Sequence, residues 1–133
     1  MDTTVIDVST GSSTVTDITP SVLGFCRGKG DGACLVFLPH ATAGAAIIEV
    51  GSGTEADLEL TLESALPRDA AYRHRHGSPG HGRDHVLPAL VSPSILIPVL
   101  AGRPALGTWQ SVVLVDTNAD NPQRQVRLSF LPA

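Results

Sequence analysis

Histidines are the residues of this chain whose type and spacing could do chemistry. His74, His76, His81 and His85 lie in one short stretch, His40 lies upstream of them, and the whole sequence contains a single lysine. Neutral imidazole is the commonest transition-metal ligand in proteins, and three imidazoles leave a coordination position open for water or a substrate. The spacing is not that of a zinc finger, so a metal site and a merely solvated loop both remain open.

His40 directly follows an apolar run of strand length, residues 33–39. A lone histidine in such a place more often has a hydrogen-bond partner than a ligand, although the four downstream histidines favour a ligand role. Glu49 lies near the end of the next apolar run, residues 45–50. A carboxylate beside a metal-bound water can act as a general base, which makes Glu49 the candidate catalytic residue. The alternative is an exposed acid at a strand end, and the sequence leaves open whether Glu49 and His40 share one end.

The arginines near the histidines and the polar residues beside the only tryptophan are candidates for contacts with a bound ligand. Four arginines occur around the clustered histidines, and they favour a small anionic ligand; they are Arg68, Arg73, Arg75 and Arg83. The only tryptophan, Trp109, is predicted to begin a strand. Strand alternation would then place Thr108 and Gln110 on the opposite face, as polar contacts at the rim of a pocket. The alternative for Trp109 is a core or interface anchor.

The elements that must position these residues follow from composition and patterning. Of the 133 residues, 42% are hydrophobic and 17% are charged, which excludes a disordered chain. We therefore expect one domain over residues 1–133. Apolar patterning predicts an α+β fold with a largely antiparallel β-sheet and two or three helices. Strands are expected at 4–8, 15–19, 33–39, 45–50, 95–99, 109–115 and 126–130, and helices at 19–27, 54–66 and 84–91. Residues 67–83 lack apolar periodicity and are predicted to form a long polar loop.

Several classes of protein are disfavoured. The formal charge of −4 argues against a general nucleic-acid binder. Cys26 and Cys34 are too few for a four-thiolate zinc site and are expected to be free and buried. No apolar stretch reaches the roughly 20 residues of a membrane span, and the start of the chain lacks a secretory pattern. We expect a cytoplasmic protein with no membrane partner.

With these residues in view, the chain resembles the YjbQ family, also called the secondary thiamine-phosphate synthase family, over nearly its whole length. Glu49 stands where the family places its glutamate, and His85 where it has the histidine of an "AH" motif, with Asp84 replacing the alanine. The other matching segments are Thr-Asp-Ile-Thr at 16–19, the strand at 32–37 with His-Ala-Thr-Ala at 40–43, Tyr-Arg-His at 72–74, Ile-Pro-Val at 97–99 and Leu-Gly-Thr-Trp-Gln at 106–110.

The resemblance implies that His40, His74 and His85 bind a divalent metal, with zinc expected. It also implies a homotrimer with the site near a subunit boundary. The implied activity joins a pyrimidine pyrophosphate to a thiazole phosphate, giving thiamine phosphate. Candidate substrate-binding residues are Thr42, Tyr72 and Arg124 in or near the matched segments, together with Thr108 and Gln110.

Departures from the family pattern support a second hypothesis. Ile48, Gly80 and Gln123 remove polar groups from the expected pocket, and Val91 replaces a family glycine. The alternative function is therefore a non-catalytic homolog that binds a phosphorylated metabolite or a protein partner. The sequence leaves open whether His76 and His81 assist at the rim of the metal site or face solvent. The family spacing, which assigns the metal to other histidines, favours solvent for both. The sequence leaves the true substrate and the native metal open.

Overall fold

The computed structural model describes residues 1–133 and contains eight strands, three α-helices and one 3₁₀ helix. The strands are β1 Asp2–Ser9, β2 Val15–Asp17, β3 Gly32–Phe37, β4 Ala43–Ile48, β5 Ser94–Leu100, β6 Arg103–Pro104, β7 Ser111–Asp116 and β8 Gln123–Pro132. The helices are α1 Thr19–Cys26, α2 Thr54–Ala65, α3 Leu87–Leu90 and the 3₁₀ helix His81–His85. None of the helices has both the length and the apolar character needed to cross a membrane.

The strands form two antiparallel sheets. The larger has the order β1-β8-β3-β5-β6, and the smaller has the order β2-β7-β4. This confirms the α+β class and the antiparallel pairing. The division into two sheets was not predicted, and it places β3 and β4 in different sheets although they are consecutive in the chain. Both are apolar runs, and such a run indicates burial without indicating which strand it will pair with.

The main core is aliphatic and lies where the two sheets and α1 meet. Its completely buried members include Val22, Val36, Val112 and Leu128. Cys26 and Cys34 are free and buried, as expected. Burial raises the pKa of the Cys34 thiol to about 12, so this thiol stays protonated and behaves as a small apolar group.

A smaller core fixes both ends of the histidine segment. Leu62 of α2, Leu66 directly after it and Leu87 of α3 pack on Val113 and Val115 of β7. The loop between the two helices must therefore begin and end on the same face of the smaller sheet. This arrangement confines a segment that has no apolar periodicity of its own.

A glycine in β4 holds the exit of this segment close to the sheet. The Ala45 amide donates to the Ser92 carbonyl at 2.8 Å. A Cβ atom at Gly44 would overlap the carbonyl of Val91. Only glycine allows the backbone after α3 to approach β4 this closely.

Candidate metal centre

Three histidines converge at the end of the polar loop. His74, His81 and His85 each offer a ring nitrogen, and these atoms all lie within 4.8 Å of one another. The Nε2 atoms of His81 and His85 are 3.0 Å apart. Two nitrogens that bind zinc tetrahedrally at about 2.1 Å lie about 3.4 Å from each other. A small adjustment of the rings therefore suffices to place both nitrogens around one ion.

The 3₁₀ helix owes its position to buried polar contacts rather than to apolar packing. Asp84 is completely buried, and its Oδ1 accepts a 2.7 Å hydrogen bond from the Thr117 hydroxyl. Arg83 is also buried; it donates to the Leu66 carbonyl at 3.2 Å and pairs with Glu63 at 2.9 Å. These contacts tie the helix to the chain after β7 on one side and to the end of α2 on the other.

His81 lies inside this arrangement with only 7% of its surface exposed. The expectation that it faces solvent is wrong, because the loop folds back over it. Asp120 from the chain before β8 has its Oδ2 at 3.2 Å from His81 Nδ1, and the same carboxylate oxygen accepts from the Ser78 amide at 3.1 Å. His76 is exposed, as expected, although its ring centroid is 3.9 Å from that of His74.

The site favours the uncharged form of two of its histidines, His74 and His85. Burial lowers the pKa of His74 and of His85, and the neighbouring imidazoles lower both further. The buried Nδ1 atom of His74 has no hydrogen-bond partner. A neutral imidazole with a free nitrogen is the form that binds a metal ion, so the histidine group fits a divalent metal such as zinc.

These lowered pKa values predict that the metal-free protein loses stability in mild acid. Histidine titrates near pH 6.5 in the unfolded chain, so between that pH and the lower native pKa the unfolded state binds more protons. The free energy of unfolding should therefore be highest near pH 7 and fall as the pH drops from about 6.5 to 5. Urea denaturation in the presence of a chelator measures it, and a variant carrying His74→Gln and His85→Gln should show a flatter profile. Stability that holds or rises over this range would contradict the prediction.

His40 does not belong to the histidine group within this chain. Its Nε2 lies 2.9 Å from the Gln125 amide nitrogen, which donates to it, at the first residues of β8. Burial lowers the pKa of His40, and the nearby Arg124 guanidinium lowers it further. His40 thus has the hydrogen-bond partner that a histidine at a strand end commonly finds. Its assignment as a metal ligand remains a prediction.

Glu49 is exposed and follows the far end of β4. In the register with β7, Ala43 pairs with Asp116 and Ile48 pairs with Ser111. His40 precedes one end of β4 and Glu49 follows the other, about 20 Å away along the strand. The question that the sequence left open is answered within this chain: the two residues are at opposite ends. The role of Glu49 as a general base remains a prediction.

The predicted substrate-binding residues are dispersed. Thr42 and Arg124 are buried against each other, with the guanidinium 2.7 Å from the Thr42 hydroxyl and paired with Asp116. Thr108 and Gln110 are exposed.

The strand expected at 109–115 is present as β7, but it begins at Ser111 rather than at Trp109, because residues 107–110 form a turn. The Gln110 side chain closes this turn by accepting from the Gly107 amide at 2.7 Å. Trp109 is 73% exposed, which excludes it from the core of this chain and leaves the interface alternative.

A cavity of about 440 Å³ opens beside the histidine group. His74 and His81 contribute to its wall, and Tyr72 is the one predicted substrate-binding residue that lines it. Arg68 and Arg75 also line it. The cavity therefore combines imidazoles with two arginines and one carboxylate, Asp69, and the excess of positive charge suits an anionic ligand.

Sequence reasoning missed three residues around this site, namely His81, Asp84 and Asp120. One signal was available for His81, since it lies in the same short stretch as His74 and His85. No comparable signal marks Asp120, which reaches the site from a different part of the chain.

Comparisons with known proteins agree with this fold. The chain is 60% identical to a UPF0047 protein of Mycobacterium tuberculosis over 131 residues, covering 98% of both chains. It is 34% identical to a UPF0047 protein of Methanothermobacter thermautotrophicus, covering 85% of this chain and 79% of that one.

Solved structures show the same likeness. A hypothetical protein from Aeropyrum pernix superimposes with a TM-score of 0.89 at 26% identity and full coverage of both chains. A YbjQ-like protein of unknown function from Sulfolobus solfataricus shares the fold, with a TM-score of 0.90 at 24% identity over 99% of this chain and 97% of that one. The model of the family described as UPF0047 protein YjbQ-like matches residues 4–133, and the chain belongs to this family.

Proposed function

We propose that this protein binds one zinc ion per chain through His74, His81 and His85, and that the ion helps to hold a small phosphorylated ligand. The observation that carries the proposal is the convergence of three ring nitrogens within 4.8 Å, in a setting that lowers the pKa of His74 and of His85. Three protein ligands leave one tetrahedral position for water or a ligand oxygen. When bound, zinc supplies a Lewis acid that withdraws charge from a phosphoryl or pyrophosphoryl oxygen.

The residues around the cavity support an anionic ligand. Arg68 and Arg75 line the same cavity as His74 and His81. Arg83, another arginine of this segment, is buried and paired with Glu63, so it is not free to meet a ligand. The proposed ligand therefore places its phosphate between the histidine group and the two lining arginines.

Thiamine-phosphate synthesis is the proposed activity, because a departing pyrophosphate needs the charge stabilisation that such a cavity offers. The non-catalytic alternative is favoured by one observation. Glu49 is exposed at the end of β4 remote from the Asp116 end, where the 3₁₀ helix is attached through Thr117. A binding protein for a phosphorylated metabolite uses the same histidines and arginines without needing that carboxylate.

We also propose a cytoplasmic homotrimer. Large apolar side chains on the outer face of the larger sheet support self-association, because monomeric domains rarely expose a broad apolar sheet face. Leu96 and Leu100 of β5 are 61% and 59% exposed, and Leu131 of β8 is also exposed. Trp109 adds a large exposed ring to the surface of the chain. The mass of the purified protein in solution, by sedimentation equilibrium, tests this assembly.

One experiment separates the proposals. Purified protein should contain or take up one zinc per chain, and the variant with His74→Ala and His85→Ala should take up none. Formation of thiamine phosphate from the two phosphorylated precursors is then measured with and without zinc. Zinc-dependent turnover that is lost in Glu49→Gln supports catalysis, and binding of a phosphorylated precursor without turnover supports the alternative. A wild-type protein that takes up no zinc would contradict the metal site itself.

A further inference from the structure

Two buried atoms around the histidine group lack partners and lie close to each other. Asp84 Oδ2 and His81 Nδ1 are both shielded from solvent and neither makes a hydrogen bond. They are 3.4 Å apart. A buried carboxylate oxygen that receives no hydrogen bond lowers the stability of the folded protein, and a buried ring nitrogen without a partner does the same. A proton on His81 Nδ1 would address both deficits with one interaction.

The carboxylate is held in place for this role. Asp84 Oδ1 is engaged by the Thr117 hydroxyl at 2.7 Å, and Arg83 Nε lies 3.7 Å from the same oxygen. This leaves Oδ2 as the oxygen directed at His81. Asp120 provides a second acceptor, since its Oδ2 is 3.2 Å from His81 Nδ1. Two carboxylates from separate parts of the chain thus face one ring nitrogen.

The other nitrogen of the same ring faces another histidine of the group. His81 Nε2 lies 3.0 Å from His85 Nε2, and both residues belong to the histidine group. In neutral imidazole one nitrogen carries the proton and the other has the free lone pair. If Nδ1 carries the proton, Nε2 must present its lone pair to the metal.

We infer that Asp84, assisted by Asp120, is a positioning residue that keeps the proton on His81 Nδ1 and thereby leaves Nε2 free to bind the metal. In the metal-free protein the same arrangement makes His81 Nε2 the acceptor, so His85 Nε2 donates across the 3.0 Å contact. The inference rests on the proposed zinc site, which it deepens by explaining how one ligand is oriented. Asp84 replaces the alanine of the family's "AH" motif, and the fold brings this replacement beside His81.

The direct test is the tautomer of His81 in the metal-free protein, read from the ¹⁵N chemical shifts of its ring by NMR. We expect the Nδ1–H form in the wild type. In the variant with Asp84→Asn and Asp120→Asn, we expect a shift towards Nε2–H. Finding Nε2–H in the wild type would overturn the inference, even if the double variant failed to fold. Because this measurement uses no metal, it remains decisive if the zinc site itself proves wrong.

Zinc affinity, measured by competition with a chromogenic chelator, provides the second readout. Outer carboxylate partners of ligating histidines contribute about 10- to 100-fold to metal affinity, so we expect a loss in that range for the double variant. Glu63→Gln is the matched control, because Glu63 contacts Arg83 and carries the same charge without touching His81; its affinity should stay within about 2-fold. A double variant with wild-type affinity, or one with lower affinity and an unchanged tautomer, would overturn the inference.

Discussion

Replacing His81 with alanine should lower zinc affinity more than 100-fold, whereas replacing His40 should leave it nearly unchanged. Loss of an outer partner of a ligating histidine already lowers metal affinity by about 10- to 100-fold, and loss of a ligand should exceed that. His81 belongs to the group of ring nitrogens within 4.8 Å, and His40 does not. Zinc content after dialysis and chelator competition measure both effects.

His76→Ala is the matched control for this comparison. His76 is exposed and adjacent to His74, but it is outside the group of three ligand atoms. We expect it to retain zinc. If His40→Ala released the metal and His81→Ala kept it, the set of His40, His74 and His85 implied by the family resemblance would be correct. His40 would then have to come from another copy of the chain.

Replacing Arg124 with alanine should destabilise the protein by about 3–5 kcal/mol, as expected when one member of a buried ion pair is removed. Arg124 Nε donates to Asp116 Oδ2 at 2.6 Å, and both side chains are almost completely buried. Without Arg124, the Asp116 carboxylate would remain buried and uncompensated. The free energy of unfolding from urea denaturation of the metal-free protein measures the loss.

Arg127→Ala provides the control on the same strand. Arg127 is exposed and donates only to the Thr3 hydroxyl at 3.2 Å, so its loss should change stability by about 0.5 kcal/mol or less. A change below about 1 kcal/mol for Arg124→Ala would show that the buried pair is not structural. In that case the predicted role of Arg124 in ligand binding would gain support.

Local patterning predicted the elements well. Alternating and continuous apolar runs indicated strands close to β3, β4, β5 and β8, and α2 lies within one residue of its expected bounds. These predictions succeeded because the periodicity of apolar residues is set by burial of one face or both, which is a local property. The strand expected at 109–115 also formed, but it begins two residues later, because residues 107–110 form a turn closed by a glutamine side chain.

The candidate site was less predictable. His74 and His85 were expected to act together, and the fold places them in one group, but it adds His81 and leaves out His40. The loop carries no apolar periodicity, so nothing in its sequence indicates which side chains become buried. That was decided by contacts with distant residues, chiefly Thr117 with Asp84 and Asp120 with His81.

The sequence by itself determined the class of fold, the aliphatic core and a concentration of imidazole and guanidinium groups in one segment. These are consequences of composition and of short-range spacing. The tertiary structure decided which imidazoles meet, because β7 and the chain after it provide the surface on which the polar loop folds. It also placed Glu49 and His40 at opposite ends of β4. Side chains brought together by strand register and loop closure depend on pairing between remote segments, and no local pattern records that pairing.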